Sequence, residues 1–213
     1  QLDADLTLLE KTGCDVVFTP SKAEVYPEGF ITKSYDFGNL DKVMEGKTRP
    51  GHFEGVALVV SRFFDIIRPQ KAYFGEKDFQ QLAIIRSLAS QNYKRIEIIP
   101  CPTLREAGGL AMSSRNLLLD ENYRSAAPRV YQRLLHVKKQ ANTKSISELK
   151  QWIAQEFKQD LVLKLEYFEI SDLDSLQSST QWSDYQVHIA CIACFAGSVR
   201  LIDNILITFA ACK

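Results

Sequence analysis

Three observations predict an α/β fold for this chain of 213 residues. Up to about residue 100, short apolar runs alternate with stretches whose apolar side chains recur at helical spacing, which is typical of parallel strands joined by helices. Residues 101–116 follow no single period and contain the pair Gly108–Gly109, so a loop or linker is expected there. Beyond them, two helical patterns precede three strand patterns, which favours a small α+β domain. We therefore expect two domains, residues 1–104 and 105–213.

The first half of the chain predicts helices that alternate with short buried strands. Val56, Val60 and Phe63 recur at helical spacing, and Pro69 ends their helix because proline has no backbone N–H to donate. In chain order, the predicted elements are a helix (LDADLTLLEK), a strand (DVVFTPS), a brief helix (LDKVMEG), a long helix (HFEGVALVVSRFFDII), a strand (KAYFG), a helix (DFQQLAIIRSLASQN) and a strand (RIEIIP). This order favours right-handed crossovers and a parallel sheet.

The second half predicts two helices followed by three strands. Asp120 can cap a helix that runs to Gln140, with a disturbance at Pro128. Ser145 and Glu148 form a capping-box pattern at the start of the next helix. The three predicted strands are LKLEYFEISD, YQVHIACIACF and VRLIDNILIT, the last two joined as a hairpin at residues 196–198.

Composition and charge exclude several classes of protein. The 26 basic and 26 acidic side chains cancel, so no global field attracts nucleic acid or an anionic membrane. The chain has no run of about 18 apolar residues, as a transmembrane helix requires, and its acidic start lacks the pattern of a secretion signal. We therefore expect a cytoplasmic protein without nucleic-acid or membrane partners. The chain starts directly in a helical pattern, which suggests that it begins inside a domain.

The cysteines are expected to be reduced thiols in the core. Their odd number and apolar surroundings argue against a disulfide framework. They are Cys14, Cys101, Cys191, Cys194 and Cys212. His188, Cys191 and Cys194 imitate the spacing of zinc ligands, but residues three apart on a strand face opposite sides. We therefore expect no metal site there.

The stretch GEKD lies where a predicted strand ends and a helix begins. Free N–H groups at a helix start attract anions. Gly75 would let a phosphate approach the backbone, Lys77 adds a positive charge, and Glu76 and Asp78 lie beside it. Gln81 falls on nearly the same helix face as Asp78 and can donate to a bound carboxylate or hydroxyl. The alternative is a solvated turn in which Asp78 is an ordinary helix cap and Gln81 an exposed helix residue.

Two further stretches carry polar groups suited to anions. In MSSRN, Ser113 and Ser114 can donate to phosphate oxygens, and Arg115 offers a bidentate guanidinium. The alternative is a capping serine and a surface arginine. In RPGHFEGV, Arg49 and His52 flank a Pro-Gly turn and can bind a carboxylate or move a proton. A capping or surface histidine is the alternative there.

Four stretches, taken together, resemble the pantothenate synthetase family, ATP-dependent ligases that join pantoate to β-alanine. They are RPGHFEGVALVVSRFF, YFGEKDFQQLAIIR, REAGGLAMSSRN and GSVRLIDN, in the family's order. The resemblance implies a Rossmann-like nucleotidyltransferase domain with a parallel sheet, a small α+β C-terminal domain and a homodimer. It also implies a reaction with ATP and Mg²⁺ that passes through a pantoyl adenylate and releases AMP and pyrophosphate.

The resemblance also assigns roles to residues. It implies that Lys77, Ser114 and Arg115 are catalytic, that Gln81 contacts pantoate, and that Arg49 and His52 lie near the acid and β-alanine cavity. The implied ATP site comprises Gly75, Glu76, Lys77, Asp78, Leu104, Met112, Ser113, Ser114 and Arg115. No protein ligand of the metal is implied.

Two departures from the family pattern affect these expectations. Gly108 stands where the family usually has aspartate, which is expected to loosen the loop. The family's His-x-Gly-His motif belongs to the first βα unit, which is expected upstream of Gln1 together with the first half of the nucleotide-binding fold. Without the catalytic histidine of that motif, these 213 residues alone are expected to be inactive. Two alternatives remain open: a non-catalytic folding or dimerisation module, and a related ligase that uses a different acid.

Overall fold

The computed structural model describes residues 2–29, 34–183 and 187–209. The chain divides into two compact parts, residues 1–33 and residues 34–213. The predicted domain boundary at residue 104 stays a prediction.

The first part contains helices α1 (Leu2–Lys11) and α2 (Lys22–Val25). Helix α1 confirms the predicted opening helix. Helix α2 was not predicted, although Ser21 and Glu24 form a complete capping box at its start. The predicted strand DVVFTPS is wrong. Residues 14–21 have no regular structure, and Val16 is 83% exposed. A strand needs a neighbour to accept its ladder hydrogen bonds, and no described residue pairs with this segment.

The second part begins with the predicted parallel strands and their helices. These elements are α3 (Met44–Thr48), α4 (His52–Ile67), β1 (Lys71–Gly75), α5 (Phe79–Asn92) and β2 (Glu97–Cys101). Strands β1 and β2 pair in parallel, with Gly75 opposite Cys101 at their carboxyl ends. Phe53 and Phe64 from α4 pack with Ile85 and Leu88 from α5. The parallel sheet is confirmed, whereas the brief helix starts at Met44, four residues later than expected from LDKVMEG.

The helices and antiparallel strands of the second half follow the prediction closely. They are α6 (Glu121–Ala126), α7 (Arg129–Gln140), α8 (Ile146–Gln159), β3 (Leu163–Asp172), β4 (His188–Ala196) and β5 (Val199–Ile207). Pro128 separates α6 from α7. Asp120 caps α6, and Ser145 and Glu148 complete the capping box of α8. The sheet order is β3-β4-β5, with both pairs antiparallel.

The antiparallel sheet is covered on both faces. One face carries Ile192 and Cys194 and packs in the cluster that includes the buried sides of α7 and α8. The other face carries Ile189 and Cys191, which pack with Met44 and Phe79. Since Met44 belongs to α3 and Phe79 to α5, this contact packs β4 against both helices. The neighbouring strand β5 lies beside the turn that follows β1.

The prediction of buried cysteines is confirmed for only some of them. Cys191 and Cys194 are buried, but Cys14 is exposed and Cys101 is partly exposed. The expectation of a core position is therefore wrong for these two, because their segments lie at the surface. All four are free, and Cys212 lies outside the described residues.

Among the described residues, no helix is long and apolar enough to cross a membrane.

Candidate active site

A cavity of about 280 Å³ lies beside the turn that follows β1. It is lined by residues that are far apart in sequence. They are Arg49, His52, Lys77, Asp78, Gln81, Leu110, Ala111, Ser113, Ser114, Arg115, Asn116, Val130, Arg200, Leu201, Ile202 and Asp203. The cavity therefore collects side chains from all three polar stretches singled out in the sequence. A smaller cavity of about 30 Å³ adjoins it and shares Arg49, His52 and Lys77 with it.

The GEKD turn is a single 3-10 turn, Glu76–Asp78, held by a residue of β5. The Asn204 Nδ2 atom donates to the carbonyl oxygens of Glu76 and Lys77, at 2.8 and 3.0 Å. These bonds satisfy carbonyl groups at the strand-to-helix junction and fix the backbone that carries Lys77. The Lys77 ammonium is bound by no side chain within the described ranges, so it remains available to an anion in the cavity.

Asp78 immediately precedes α5 without acting as its cap. Its side chain makes no capping hydrogen bond, so the alternative of an ordinary helix cap is wrong. The carboxylate is exposed and lines the cavity together with Gln81, as their common helix face predicts. The neighbouring Gln80 is buried instead. It accepts from the backbone of Glu45 at 2.9 Å and donates to two carbonyl groups, of Leu40 and Val43.

The serine-rich stretch forms a second 3-10 turn, Ser114–Leu118, at the cavity. Ser113 accepts from the backbone N–H of Arg115 at 3.3 Å, so it both caps the turn and lines the cavity. Asn116 is the buried residue of this turn, and its Nδ2 atom donates to Glu106 at 2.9 Å and to the carbonyl of Ala111 at 3.1 Å. The side chain of Arg115 is exposed and makes no bond with another described residue.

The segment before this turn is a closed loop. Arg105 and Ala111 form an antiparallel bridge, and the Arg105 guanidinium makes a two-pronged pair with Asp203 on β5, at 2.6 and 2.9 Å. The same guanidinium lies 3.5 Å from the ring centre of Tyr131. These contacts hold the loop despite Gly108, where an added Cβ would lie 3.2 Å from Pro128. Whether Gly108 loosens the loop stays a prediction.

Arg49 and His52 lie together where α3 ends and α4 begins. Arg49 Nη1 is 2.9 Å from His52 Nε2. A guanidinium can only donate, so Nε2 accepts and the ring proton resides on Nδ1. Burial and the Arg49 charge lower the pKa of His52 below its ordinary value, which makes the ring neutral at pH 7.

A buried carboxylate, that of Glu45, lies next to Arg49. Glu45 is 8% exposed and accepts hydrogen bonds from Arg200 at 2.6 and 2.8 Å and from the Tyr167 hydroxyl at 2.8 Å. Arg49 approaches the same carboxylate at 3.6 Å. Burial opposes the charge of Glu45, yet these donors hold its pKa below its ordinary value. Glu45 is therefore ionised at neutral pH.

Four of the predicted site residues do not line the main cavity. Gly75 is the last residue of β1, and Glu76 meets Asn204 only through its backbone. Leu104 and Met112 are joined by a 2.9 Å backbone hydrogen bond, and their side chains are 73% and 55% exposed. All four adjoin the cavity in sequence, but the structure does not place their side chains in it.

Sequence reasoning missed the residues that hold the site together. Glu45, Arg200, Asp203 and Asn204 received no role. The stretch GSVRLIDN contains the last three, and its alternation of polar and apolar residues was the available signal. Glu45 lies in the predicted brief helix LDKVMEG, but that short pattern did not indicate that its carboxylate would be buried.

The cysteine and histidine stretch on β4 faces two directions, as expected. Cys191 and Cys194 belong to different core clusters on opposite faces of the sheet. The ring of His188 accepts from the backbone of Ser183 at 3.2 Å and lies 3.0 Å from the Ser179 hydroxyl. These residues have a structural role in the core.

The cavity is suited to an anionic ligand. Four cationic side chains line it: Arg49, Lys77, Arg115 and Arg200. Two serine hydroxyls lie beside them. Of the two lining carboxylates, Asp203 is neutralised by Arg105. Such a combination can bind phosphoryl and carboxylate groups and offset charge that develops on them.

Comparisons with known proteins identify relatives of this chain. Residues 1–206 match the family model for pantoate-beta-alanine ligase. The chain is 47% identical over 205 residues to pantothenate synthetase of Phocaeicola vulgatus, covering 96% of this chain and 72% of that protein. It is 44% identical over 203 residues to pantothenate synthetase of Porphyromonas gingivalis, covering 95% and 72% of the two chains.

Two solved structures share the fold. The crystal structure of pantothenate synthetase from Thermus thermophilus has a TM-score of 0.85 and 37% identity, covering 96% of this chain and 74% of that one. The pantoate-beta-alanine ligase from Francisella tularensis, complexed with beta-gamma ATP and beta-alanine, has a TM-score of 0.72 and 32% identity. That match covers 97% of this chain and 70% of the other.

Proposed function

The chain belongs to the pantoate-beta-alanine ligase family, and from this premise we propose that it condenses pantoate with β-alanine through a pantoyl adenylate, with ATP as the second substrate. The observation that carries the proposal is the convergence of Lys77, Gln81 and Arg115 on one cavity of suitable charge. A relative at 32% identity has been solved with a nucleotide and β-alanine, which supports the same ligands here.

The first step activates the acid. A carboxylate oxygen of pantoate bonds to the α-phosphorus of ATP, and the bond from that phosphorus to the pyrophosphate oxygen breaks. Negative charge develops on the phosphoryl oxygens and on the leaving pyrophosphate. Lys77, Ser114 and Arg115 act as the catalytic groups, because ammonium, hydroxyl and guanidinium donors stabilise that charge. Gln81, about one helical turn after Lys77, holds pantoate.

The nucleotide site extends beyond these groups. Ser113 adds a second hydroxyl, and Gly75 and Glu76 offer backbone at the end of β1. Leu104 and Met112 place their exposed side chains beside the loop, at the position we assign to the nucleoside. Both lose exposed apolar surface when a base covers them.

The second step forms the amide. The amine of β-alanine attacks the acyl carbon, the bond from that carbon to the phosphate oxygen breaks, and AMP leaves. Arg49 and His52 lie at the end of the cavity assigned to the carboxylates. Positioning and the exclusion of water are the main contributions of the protein, since an acyl adenylate reacts readily with an amine.

Mg²⁺ accompanies ATP in this proposal. The ion prefers oxygen ligands, usually one or two carboxylates plus substrate phosphates. Asp78 fits because its carboxylate lines the cavity and bonds no other described residue. Within the described ranges, no group of three His, Cys, Asp or Glu side chains can hold a metal alone. Asp78 and the nucleotide would share the ion, which offsets phosphate charge when bound.

We also propose that the protein works in the cytoplasm as a homodimer. The neutral net charge gives no attraction to nucleic acid or anionic membranes. Sedimentation equilibrium of the purified chain tests the dimer, and a monomeric mass across the micromolar range would contradict it.

Pyrophosphate exchange tests the activity. The full-length protein is mixed with ATP, Mg²⁺ and labelled pyrophosphate, with and without pantoate, and we expect label to enter ATP only with pantoate. Lys77→Ala should slow exchange about 100-fold, because one donor to the developing charge is lost. The matched control is Lys71→Ala, which removes an exposed lysine at the other end of β1 and should leave the rate unchanged.

Three outcomes would contradict the proposal. Absence of exchange with any acid would favour a non-catalytic module. Exchange with another hydroxy acid in place of pantoate would indicate a related ligase. Wild-type rates in Lys77→Ala would indicate that the GEKD stretch is only a solvated turn.

A further inference from the structure

We propose that Glu45 is a positioning residue, which acts through Arg49 to fix the tautomer and orientation of His52 in the cavity. For its catalytic consequence, this inference rests on the proposed function. Glu45 itself lines only the smaller cavity and carries none of the sequence signals that identified the site.

The position of Glu45 is fixed by contacts with three elements. Its carboxylate accepts from Arg200 on β5 and from Tyr167 on β3, and its backbone N–H donates to Gln80 on α5. Burial raises the free energy of a carboxylate unless it is paired and fully hydrogen-bonded. Glu45 meets this condition, so its ionised carboxylate has a fixed position between β3, β5 and α5.

Arg49 links the Glu45 carboxylate to His52 in the cavity. Its guanidinium lies 3.6 Å from the Glu45 carboxylate and 2.9 Å from His52 Nε2. Arg49 has 40% of its side chain exposed, so without a fixed anion its long side chain would sample several rotamers. The carboxylate selects the rotamer that donates to His52.

The donation determines the chemistry of His52. An acceptor at Nε2 requires a hydrogen at Nδ1, which leaves a neutral ring with one defined donor. The charged groups facing this ring are Arg49, Glu45, Asp78 and Arg200, with Lys77 in the same cavity wall. Arg200 is compensated by Glu45 and Glu166, and Asp203 by Arg105. Lys77 and Arg115 are therefore the cations of the main cavity wall that have no carboxylate partner among the described residues.

Glu166 provides a matched control. It also pairs with Arg200, at 2.6 Å, but it contacts neither Arg49 nor His52 and lines neither cavity. Glu45→Gln and Glu166→Gln therefore remove the same charge from the same arginine, and only the first removes the anion beside Arg49.

Nitrogen-15 NMR of the imidazole rings measures the tautomer directly. The chain has three histidines, and His52→Gln assigns the signals of His52. We expect the Nδ1–H tautomer in the wild type and in Glu166→Gln, and a mixture of both tautomers in Glu45→Gln and Arg49→Gln. Identical His52 signals in the wild type and Glu45→Gln would overturn the proposal.

Kinetics supplies the second measurement. We expect Glu45→Gln to lower kcat for pantothenate formation about 10- to 100-fold, the cost of a misplaced group, while Glu166→Gln stays within about twofold of the wild type. Equal losses in both variants would show that Glu45 only anchors Arg200 and would overturn the proposal.

Two further controls separate the possible failures. If Glu45→Gln does not fold, Tyr167→Phe removes one donor to Glu45 and should shift the same NMR signals to a smaller extent. No shift in either Tyr167→Phe or Arg49→Gln would then overturn the proposal. If the wild type lacks exchange activity but the NMR shifts occur as expected, the proposed function fails and the positioning of His52 stands.

Discussion

The carboxamide of Asn204 donates from β5 to two carbonyl oxygens of the turn that carries Lys77. No side chain of the turn itself makes a capping bond, so the turn depends on a residue 127 positions away in sequence. This arrangement explains how three charged residues, Glu76, Lys77 and Asp78, can occupy one turn. The tertiary contact holds the backbone, and the side chains remain free to bind a ligand.

Asn204→Ala should therefore weaken both the fold and the activity. Two partly buried carbonyl groups lose their donor, which costs about 1 kcal/mol of unfolding free energy. We expect pantoate-dependent exchange to fall about tenfold because Lys77 is less well placed. Urea unfolding and the exchange assay measure the two effects.

The control is Asn122→Ala, at an exposed position on α6. It should change the unfolding free energy by less than about 0.5 kcal/mol. Wild-type stability and rate in Asn204→Ala would show that the turn keeps its shape without this donor.

At the scale of secondary-structure elements, the loop between Arg105 and Ala111 positions the turn that carries Ser114. Gly109 has φ of +92° there, and an added Cβ would lie 2.8 Å from the Tyr131 ring. The backbone carbonyl of Gly109 also accepts from Arg105 at 3.1 Å. Only glycine adopts this conformation at low cost while leaving room for the ring.

Gly109→Ala should lower the unfolding free energy by about 2 kcal/mol, from the left-handed backbone and the contact with Tyr131. Gly55→Ala is the matched control. Gly55 lies inside α4 with nothing within 4 Å of an added Cβ, so alanine should stabilise by about 0.5 to 1 kcal/mol. Guanidinium unfolding midpoints measure both changes. A change of the same sign in both variants would contradict the local explanation.

At the scale of the molecule, buried ion pairs couple stability to pH. The Asp160 side chain is fully shielded and pairs with Arg133 at 2.7 Å and Arg129 at 3.2 Å. Burial raises its pKa, but the backbone N–H groups of Leu163 and Val162 and the two arginines outweigh it and hold the pKa below its ordinary value. A depressed pKa contributes stability that is present above the unfolded value and is lost as pH falls through the folded value.

Asp160→Asn should therefore destabilise by about 3 kcal/mol at pH 7, since Arg133 loses its buried partner. The difference from the wild type should shrink as pH falls below about 4, where aspartate becomes protonated. Thermal unfolding at several pH values measures this difference. The same difference at pH 3 and pH 7 would contradict the linkage.

Much of the fold follows from local patterns. Strand β3 has the predicted limits, and the break at Pro128 and the capping box at Ser145 were also predicted. Periodicity and capping act between neighbours in sequence, so a single sequence contains them. The strand over residues 15–21 fails for the same reason, because its apolar side chains predict β structure but pairing depends on a partner strand.

The sequence by itself determined the family resemblance, the parallel and antiparallel halves, and the polar stretches around Lys77, Arg115 and His52. Those properties depend on residue types at short spacing. Only the tertiary structure decided that Asp78 is not a cap, that Leu104 and Met112 stay outside the cavity, and that Glu45 and Asn204 hold the site. Buried charges and carbonyl acceptors are satisfied by partners more than 100 residues away, and no local pattern specifies such a partner.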